Sequence, residues 1–217
     1  MIYLNIKSIR LNLENLENEI LAELDYHFNI IGLTETKITN SNIDVGIPRI
    51  SGYNFEYVPT PLSAGGVGMF INNSLDYVVL EKTSNEAFQA LWIELSFPKK
   101  KSIVCGIIYS QHNSPDQFQK YFDETIENFT TSGKQLCLFG DTNVDLLKSE
   151  YCHYAHGFLS TLLSCYLIPT IDKPTRVHKR SATLIDNIFV SNPEQVEYSG
   201  NIRSEEHTSE LQSRQYL

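Results

Sequence analysis

Polar residues recur at the ends of apolar runs in this sequence, at places from which several could serve one reaction. Asn5 follows Ile2-Tyr3-Leu4, and Glu35 closes the run that starts at Asn29. Tyr109 ends the run from Ser102, Asp141 and Asn143 follow Gln135 to Phe139, and Asp186 with Asn187 sits within Thr183 to Val190. One carboxylate after a strand is ordinarily a turn former or a helix cap. Five such places in one chain ask for a shared site. Asp141-Thr142-Asn143 is the most informative of them, because alternation after the buried run Leu136-Cys-Leu-Phe139 predicts that Asp141 and Asn143 point the same way. A carboxylate beside a carboxamide suits attack of water on a phosphate. The carboxylate orients or deprotonates the water, and the amide donates to a phosphoryl oxygen.

Those residues need a scaffold of strands and helices to hold them. Ile2 to Ile6 reads as a strand, and Leu13, Leu16, Ile20, Leu21, Leu24 and Phe28 recur at three- and four-residue steps, as on an amphipathic helix. Asn29 to Glu35 is a second strand, and Gly66 to Ile71, Asp76 to Leu80, Ala90 to Phe97 and Ser102 to Tyr109 form a block of β segments, several of them antiparallel neighbours. Ser114-Pro115-Asp116-Gln117 supplies an N-cap, a Pro at the first helical position and Gln at the third, opening a helix with Phe118, Tyr121, Phe122, Ile126 and Phe129 on one face. Gln135 to Phe139 is a strand, His153 to Tyr166 a further amphipathic helix and Thr183 to Val190 a last strand. The pattern predicts a layered α/β sandwich whose strand ends carry polar residues.

The chain has 217 residues, 41% of them hydrophobic and 20% charged, which suits one packed domain. No run approaches the roughly 20 apolar residues of a membrane span, and the start lacks a secretory pattern, so the sequence reads as intracellular with no membrane partner. Cys105, Cys137, Cys152 and Cys165 show no metal or redox spacing and read as free thiols. The net charge of −9 argues against broad nonspecific polyphosphate binding. It leaves room for a metal nuclease, whose clustered carboxylates are neutralised by the ion they hold.

The ordered set LNIKSIR, GLTETKI, AGGVGMFI, GIIYSQHNSP, LFGDTNVDLL and SATLIDNIFV resembles the endonuclease/exonuclease/phosphatase superfamily, most closely the apurinic-type endonuclease domain of non-LTR (LINE-type) retrotransposons. The resemblance spans nearly all of residues 1–202. It implies a four-layer α/β sandwich, two mixed β-sheets flanked by helices, that cleaves phosphodiesters with Mg²⁺, or Mn²⁺ in its place. Glu35 is similar to the principal metal ligand and Asn5 to the Asn that supports the metal and phosphate. Tyr109 resembles the tyrosine that contacts the scissile phosphate, Asp141 the water activator, Asn143 a phosphate donor, and Asp186 the aspartate that orients a catalytic histidine. Asn187, Ser181 and Thr183 are implied to line the DNA cleft, and Arg176 to contact the DNA backbone.

Two departures from the family pattern stand out. Lys7 occupies a position where apurinic endonucleases carry an acidic metal ligand, and the terminal Ser-Asp-His motif is absent. Residues 203–217 look like a translated sequencing adapter, so the expectation is a domain over 1–202 with its C-terminal strand missing and an unstructured tail after it. His207 does not fill the histidine's place. Ile2 follows directly on Met1, as in a fragment of a longer reading frame. His153 and His156 lack a third ligand, Gly65 to Gly68 is not a dinucleotide fingerprint, and Trp92 reads as core. The leading function is an endonuclease that nicks target DNA to prime a reverse transcriptase carried by the full-length polyprotein, in the nucleus if the host is eukaryotic, and inactive as this fragment. The alternatives are a lipid or inositol phosphodiesterase of the same fold and a non-catalytic remnant.

Overall fold

In the computed structural model, which describes residues 1–22, 27–43, 46–112, 115–179, 181–202 and 214–216, side-chain alternation along the strands builds three apolar layers. The first sheet has the order β13-β14-β1-β2-β4-β3, with β1 (Ile2–Asn5), β2 (Ile30–Thr34), β3 (Tyr53–Val58), β4 (Val67–Asn72), β13 (Gly200–Ile202) and β14 (Arg214–Tyr216). The second has the order β5-β6-β7-β8-β12-β9, with β5 (Asp76–Ser84), β6 (Phe88–Ser96), β7 (Ile103–Ser110), β8 (Gln135–Asp141), β9 (Ile168–Pro169) and β12 (Asp186–Val190). Both sheets are mixed: β1 runs parallel to β2 and β7 to β8, and the other neighbours are antiparallel. A separate hairpin joins β10 (Arg176–His178) to β11 (Ser181–Thr183).

One parity of residues on each strand faces the other sheet. Tyr3, Ile30, Met69, Leu91, Ile107, Phe139 and Ile188 meet there in a single apolar layer. The opposite parity of the second sheet, including Trp92, Ile108, Leu138 and Phe189, packs on α2 (Pro115–Thr131) and α3 (His153–Ser164) through Phe118, Phe122, Phe158 and Leu162. Ile2, Leu4, Leu33 and Phe70 of the first sheet pack on α1 (Ile9–Asn15) through Ile9 and on Leu16 of the π-helical turn Leu16–Leu21 that extends it. Each such buried side chain contributes roughly 1.5–3 kcal/mol. The outcome is the expected helix-sheet-sheet-helix sandwich. Among the described residues no helix is long and apolar enough to cross a membrane.

Several elements differ from the sequence reading. The strand expected from Thr183 to Val190 is two, because Thr183 pairs with Arg176 in the hairpin whereas Asp186 pairs with Asp141 in the sheet. The expected N-cap Ser114, the helix position Leu24 and His207 lie outside the described residues. Within the tail expected to be unstructured, Arg214–Tyr216 lies antiparallel to β1, with Ile2 opposite Tyr216, and β13 pairs on its other side. The unpaired outer edge of β1 would otherwise leave a row of backbone donors and acceptors open, and any extended segment within reach can satisfy them.

Gly140 shows how tightly β8 is held between its neighbours. A Cβ there would stand 1.9 Å from the Ile108 carbonyl oxygen of β7, a backbone atom that cannot give way. Gly140→Ala is therefore expected to lower stability by about 3 kcal/mol or more, through separation of β8 from β7. Urea unfolding followed by circular dichroism checks this, and a loss under about 1 kcal/mol would mean that the β7–β8 register is softer than described here.

Candidate active site

Where the inter-sheet layer reaches one end of the strands, its apolar residues give way to polar ones of the same parity. In the second sheet Gln89, Tyr109, Asp141 and Asp186 are successive cross-strand partners, forming one polar row over β6, β7, β8 and β12. In the first sheet Asn5 and Thr34 are partners at the ends of β1 and β2. The two rows face each other. Tyr3 donates from its hydroxyl to Asp186 Oδ1 at 2.9 Å and lies 2.8 Å from the Thr34 hydroxyl, and Asn5 Nδ2 reaches both Glu35 Oε1 and Asp141 Oδ2 at 3.4 Å.

Glu35 is presented by a strained, doubly pinned turn. Its own φ is 52°, a left-handed value that a non-glycine residue adopts only when its surroundings force it. On one side its carbonyl accepts from Ser8 N at 2.8 Å; on the other, Thr36 N and Lys37 N donate to the carbonyls of Gly66 and Gly65. Gly65 and Gly66 have φ of 99° and 82°, and Gly66 N donates to Gln89 Oε1 at 2.9 Å, so the Ala-Gly-Gly segment ties Glu35 to the polar row. Lys7, Ser8, Lys37 and Asn143 also have positive φ, and all stand just past β1, β2 or β8.

Asp141 and Asp186 are both buried. Burial first, and then Asp186, push the Asp141 carboxyl well above its usual range, against the pull of Arg176. Burial likewise raises Asp186, with Arg176, Tyr3 and Thr175 opposing it. Thr175 Oγ1 donates to Asp186 Oδ2 at 3.0 Å. Burial, then the Glu35 and Asp141 carboxylates, raise the Tyr109 phenol, so that it stays protonated and available as a donor.

The structure brings Asn5, Glu35, Tyr109, Asp141 and Asp186 together. Asn143 is close by for a different reason than strand alternation. β8 ends at Asp141, and a left-handed Asn143 (φ 53°) turns its amide to donate to the Ser110 carbonyl, with its backbone N–H on Asp141 Oδ1 at 3.2 Å. Its buried Oδ1 has no hydrogen-bond partner among the described residues. Arg176, expected to contact the DNA backbone, lies in the cluster: Nη2 donates to Asp141 Oδ2 at 2.6 Å, and Nε lies 3.8 Å from Asp186 Oδ2. Asn187 is corrected as well. It has the opposite parity, is buried, and spends both ends of its amide on the backbone of Ile171 and on Ile188 N, so it braces a loop instead of lining a cleft. Ser181 is exposed and Thr183 half-buried on the hairpin that carries Arg176. Tyr3, Thr34, Gln89 and Thr175 are missing from the sequence reading. Parity with Asn5 was the signal for Tyr3, but its place inside an apolar triplet disguised it.

Residues 3–207 match the model of the Endonuclease/Exonuclease/phosphatase family. The chain belongs to that family. Its fold is similar to that of the AP endonuclease LMAP from Leishmania major (TM-score 0.76, 15% identity, over 99% of this chain and 85% of that one). It is also similar to the endonuclease domain of TRAS1, a telomere-specific non-LTR retrotransposon (TM-score 0.67, 15% identity, 99% and 94%). A third similar structure is the 3′ phosphatase NExo from Neisseria bound to a product DNA hairpin (TM-score 0.68, 15% identity, 99% and 96%). No curated protein sequence matches the chain.

The Endonuclease/Exonuclease/phosphatase family generally works with a divalent metal, and the donor set here fits such an ion loosely. Among the described residues no three His, Cys, Asp or Glu side chains form a closed cage. Mg²⁺ needs no cage, since it keeps most of its waters and takes one or two carboxylates. Glu35, Asp141 and Asp186 offer only hard oxygen donors, and three carboxyl groups face one guanidinium.

Because the folded-state values of both aspartates lie above those of the unfolded chain, the pair favours folding most at pH below the ordinary carboxylate range, and that contribution is lost as pH rises from there through the raised folded-state values. Asp141→Asn is expected to gain about 1 kcal/mol over the wild type near neutral pH, with the gain shrinking toward about pH 4. Thermal melts across that range check this. A variant that melts lower at every pH would show that the Arg176 pair outweighs the burial of the charge.

Proposed function

We propose that this protein is a divalent-metal-dependent phosphodiesterase acting on DNA, the endonuclease domain of a non-LTR retrotransposon that nicks target DNA and leaves a 3′-hydroxyl to prime reverse transcription. The observation that carries the reading is the single polar end of the inter-sheet layer, where Asn5, Glu35, Tyr109, Asp141 and Asp186 meet. The likeness to the TRAS1 domain and to a DNA-bound 3′ phosphatase supports DNA as the substrate, and the IDKPTR and SATLIDNIF segments favour a retroelement over a lipid or inositol phosphodiesterase. A reverse transcriptase domain would accompany it in the full-length polyprotein, and in a eukaryotic host the target would be met in the nucleus.

Glu35, supported by Asn5, would hold Mg²⁺, which supplies positive charge to the phosphate and the leaving oxygen. The Tyr109 hydroxyl donates to a phosphoryl oxygen. Asp141 takes the proton of the attacking water, a role suited by a carboxyl whose affinity for protons burial has raised. Asn143 fixes the Asp141 carboxylate through its backbone N–H and can turn its amide to the phosphate. Asp186, held by Tyr3 and Thr175, completes the negative wall.

The sequence has no Ser-Asp-His motif to set a histidine against Asp186. The 217-residue chain is therefore expected to nick supercoiled plasmid at least about a hundredfold more slowly than a version extended through such a strand. The extended protein should need Mg²⁺ and lose activity on Glu35→Ala or Asp141→Ala. Gel assays of nicking, beside a panel of inositol and lipid phosphodiesters, test the reading. It fails if the extended protein leaves DNA intact, and turnover of a lipid or inositol substrate alone would move the chain to the other branch of the fold.

A further inference from the structure

Arg176 reaches the carboxylates from outside the two sheets. It opens the β10–β11 hairpin opposite Thr183, and its neighbour Thr175 is fixed by a backbone bond to the Thr183 carbonyl and a side-chain bond to Asp186. From there the guanidinium donates to Asp141 and faces Asp186, with Glu35 and the Tyr3 phenol also within electrostatic range. The Asp141 side chain is only 1% exposed, whereas that of Arg176 is 34% exposed. The aspartate is therefore held inside the cluster, whereas the arginine can leave along the side it came in by, on a long flexible stem.

An oxygen site for a divalent cation at Glu35 and Asn5 overlaps this field. Asn5 Nδ2 stands 3.4 Å from both Glu35 Oε1 and Asp141 Oδ2, so an ion held by Glu35 would share the Asp141 carboxylate's surroundings with the guanidinium. Two cations drawn to the same buried carboxylates, with little water between them to screen their repulsion, bind at each other's expense. We infer that Arg176 is a positioning residue that serves as the resident counter-cation of the carboxylate cluster, and that its ion pairs with Asp141 and Asp186 compete with occupation of the site by a divalent metal. Arg176 thereby sets the metal concentration at which the site fills. The inference rests on the metal-dependent reading above, and it differs from a DNA-backbone contact, which would leave metal affinity unaffected.

The test uses the full 217-residue chain and Mn²⁺ alone, with free ion measured by electron paramagnetic resonance. Arg176→Gln is expected to bind Mn²⁺ about tenfold more tightly than the wild type, equivalent to about 1.4 kcal/mol. Arg176→Lys, which keeps the charge, should stay within about twofold of the wild type. Equal or weaker binding by a folded Arg176→Gln protein overturns the inference. Since removing one partner of a buried ion pair can unfold a domain, a second measurement needs no variant. In the wild-type chain the Arg176 Nε–Hε resonance should move and exchange faster as Mg²⁺ is added, and a resonance unchanged to saturation overturns the inference equally. If all variants bind Mn²⁺ alike and Glu35→Gln abolishes binding, the metal site stands and the competition falls. If no variant binds Mn²⁺, both fall.

Discussion

Asp141 and Asp186 occupy directly opposed positions on β8 and β12, and both are buried. Like charges across a strand pair destabilise a sheet, and burial removes the water that would screen them. Much of the surrounding structure can be read as an answer to that one constraint. Tyr3 crosses from the other sheet to donate to Asp186, Thr175 donates from the hairpin junction, the Asn143 backbone N–H donates to Asp141, and Arg176 brings a positive charge. The contacts come from β1, from the turn after β8 and from two successive residues of the hairpin. The pair therefore couples both sheets, the hairpin and the turn after β8 into one network, in which removing one member leaves the others unsatisfied.

The same end of the sandwich concentrates backbone strain. Of the seven described non-glycine residues with positive φ, five (Lys7, Ser8, Glu35, Lys37 and Asn143) stand immediately past β1, β2 or β8. Such conformations cost of order 1–3 kcal/mol each and survive only where neighbours over-determine them. Here the neighbours are visible: Ser8 N on the Glu35 carbonyl, and Gly65 and Gly66 carbonyls on Lys37 and Thr36. Among the described residues the opposite ends of these strands carry no comparable cluster. Stability is thus drawn from the three apolar layers and spent at one rim, the division expected of a scaffold that presents a polar site.

Membership of the Endonuclease/Exonuclease/phosphatase family fits that division. The likeness to the Leishmania and TRAS1 structures persists at 15% identity because layers of alternating apolar residues tolerate many substitutions of similar volume. A polar rim is less forgiving, since each buried donor and acceptor needs its own partner. The net charge of −9 belongs to the whole surface, while the rim combines three carboxylates with one guanidinium, so the bulk charge gives little guide to the local field.

The sequence alone determined the layered sandwich, because the unbroken apolar runs Leu136 to Phe139 and Ile103 to Ile108 and the three- and four-residue steps from Phe118 to Phe129 are local properties of the chain. It also determined that Asn5, Glu35, Tyr109, Asp141 and Asp186 stand at strand ends, for the same reason. Only the tertiary structure decided what those residues touch. Arg176 read only as a DNA-backbone contact because its partners, Asp141 and Asp186, are brought to it by a sheet register and a hairpin that no local pattern encodes. Asn187, beside Asp186 in sequence, read as part of the cleft, yet a one-residue step in a strand reverses the face and buries it against Ile171. Tyr3 read as one more apolar residue, since its hydroxyl finds Asp186 across the gap between two sheets and 183 positions along the chain. The pairing of Arg214–Tyr216 with β1 likewise depends on an edge left open by the fold, to which any extended backbone can bond whatever its side chains.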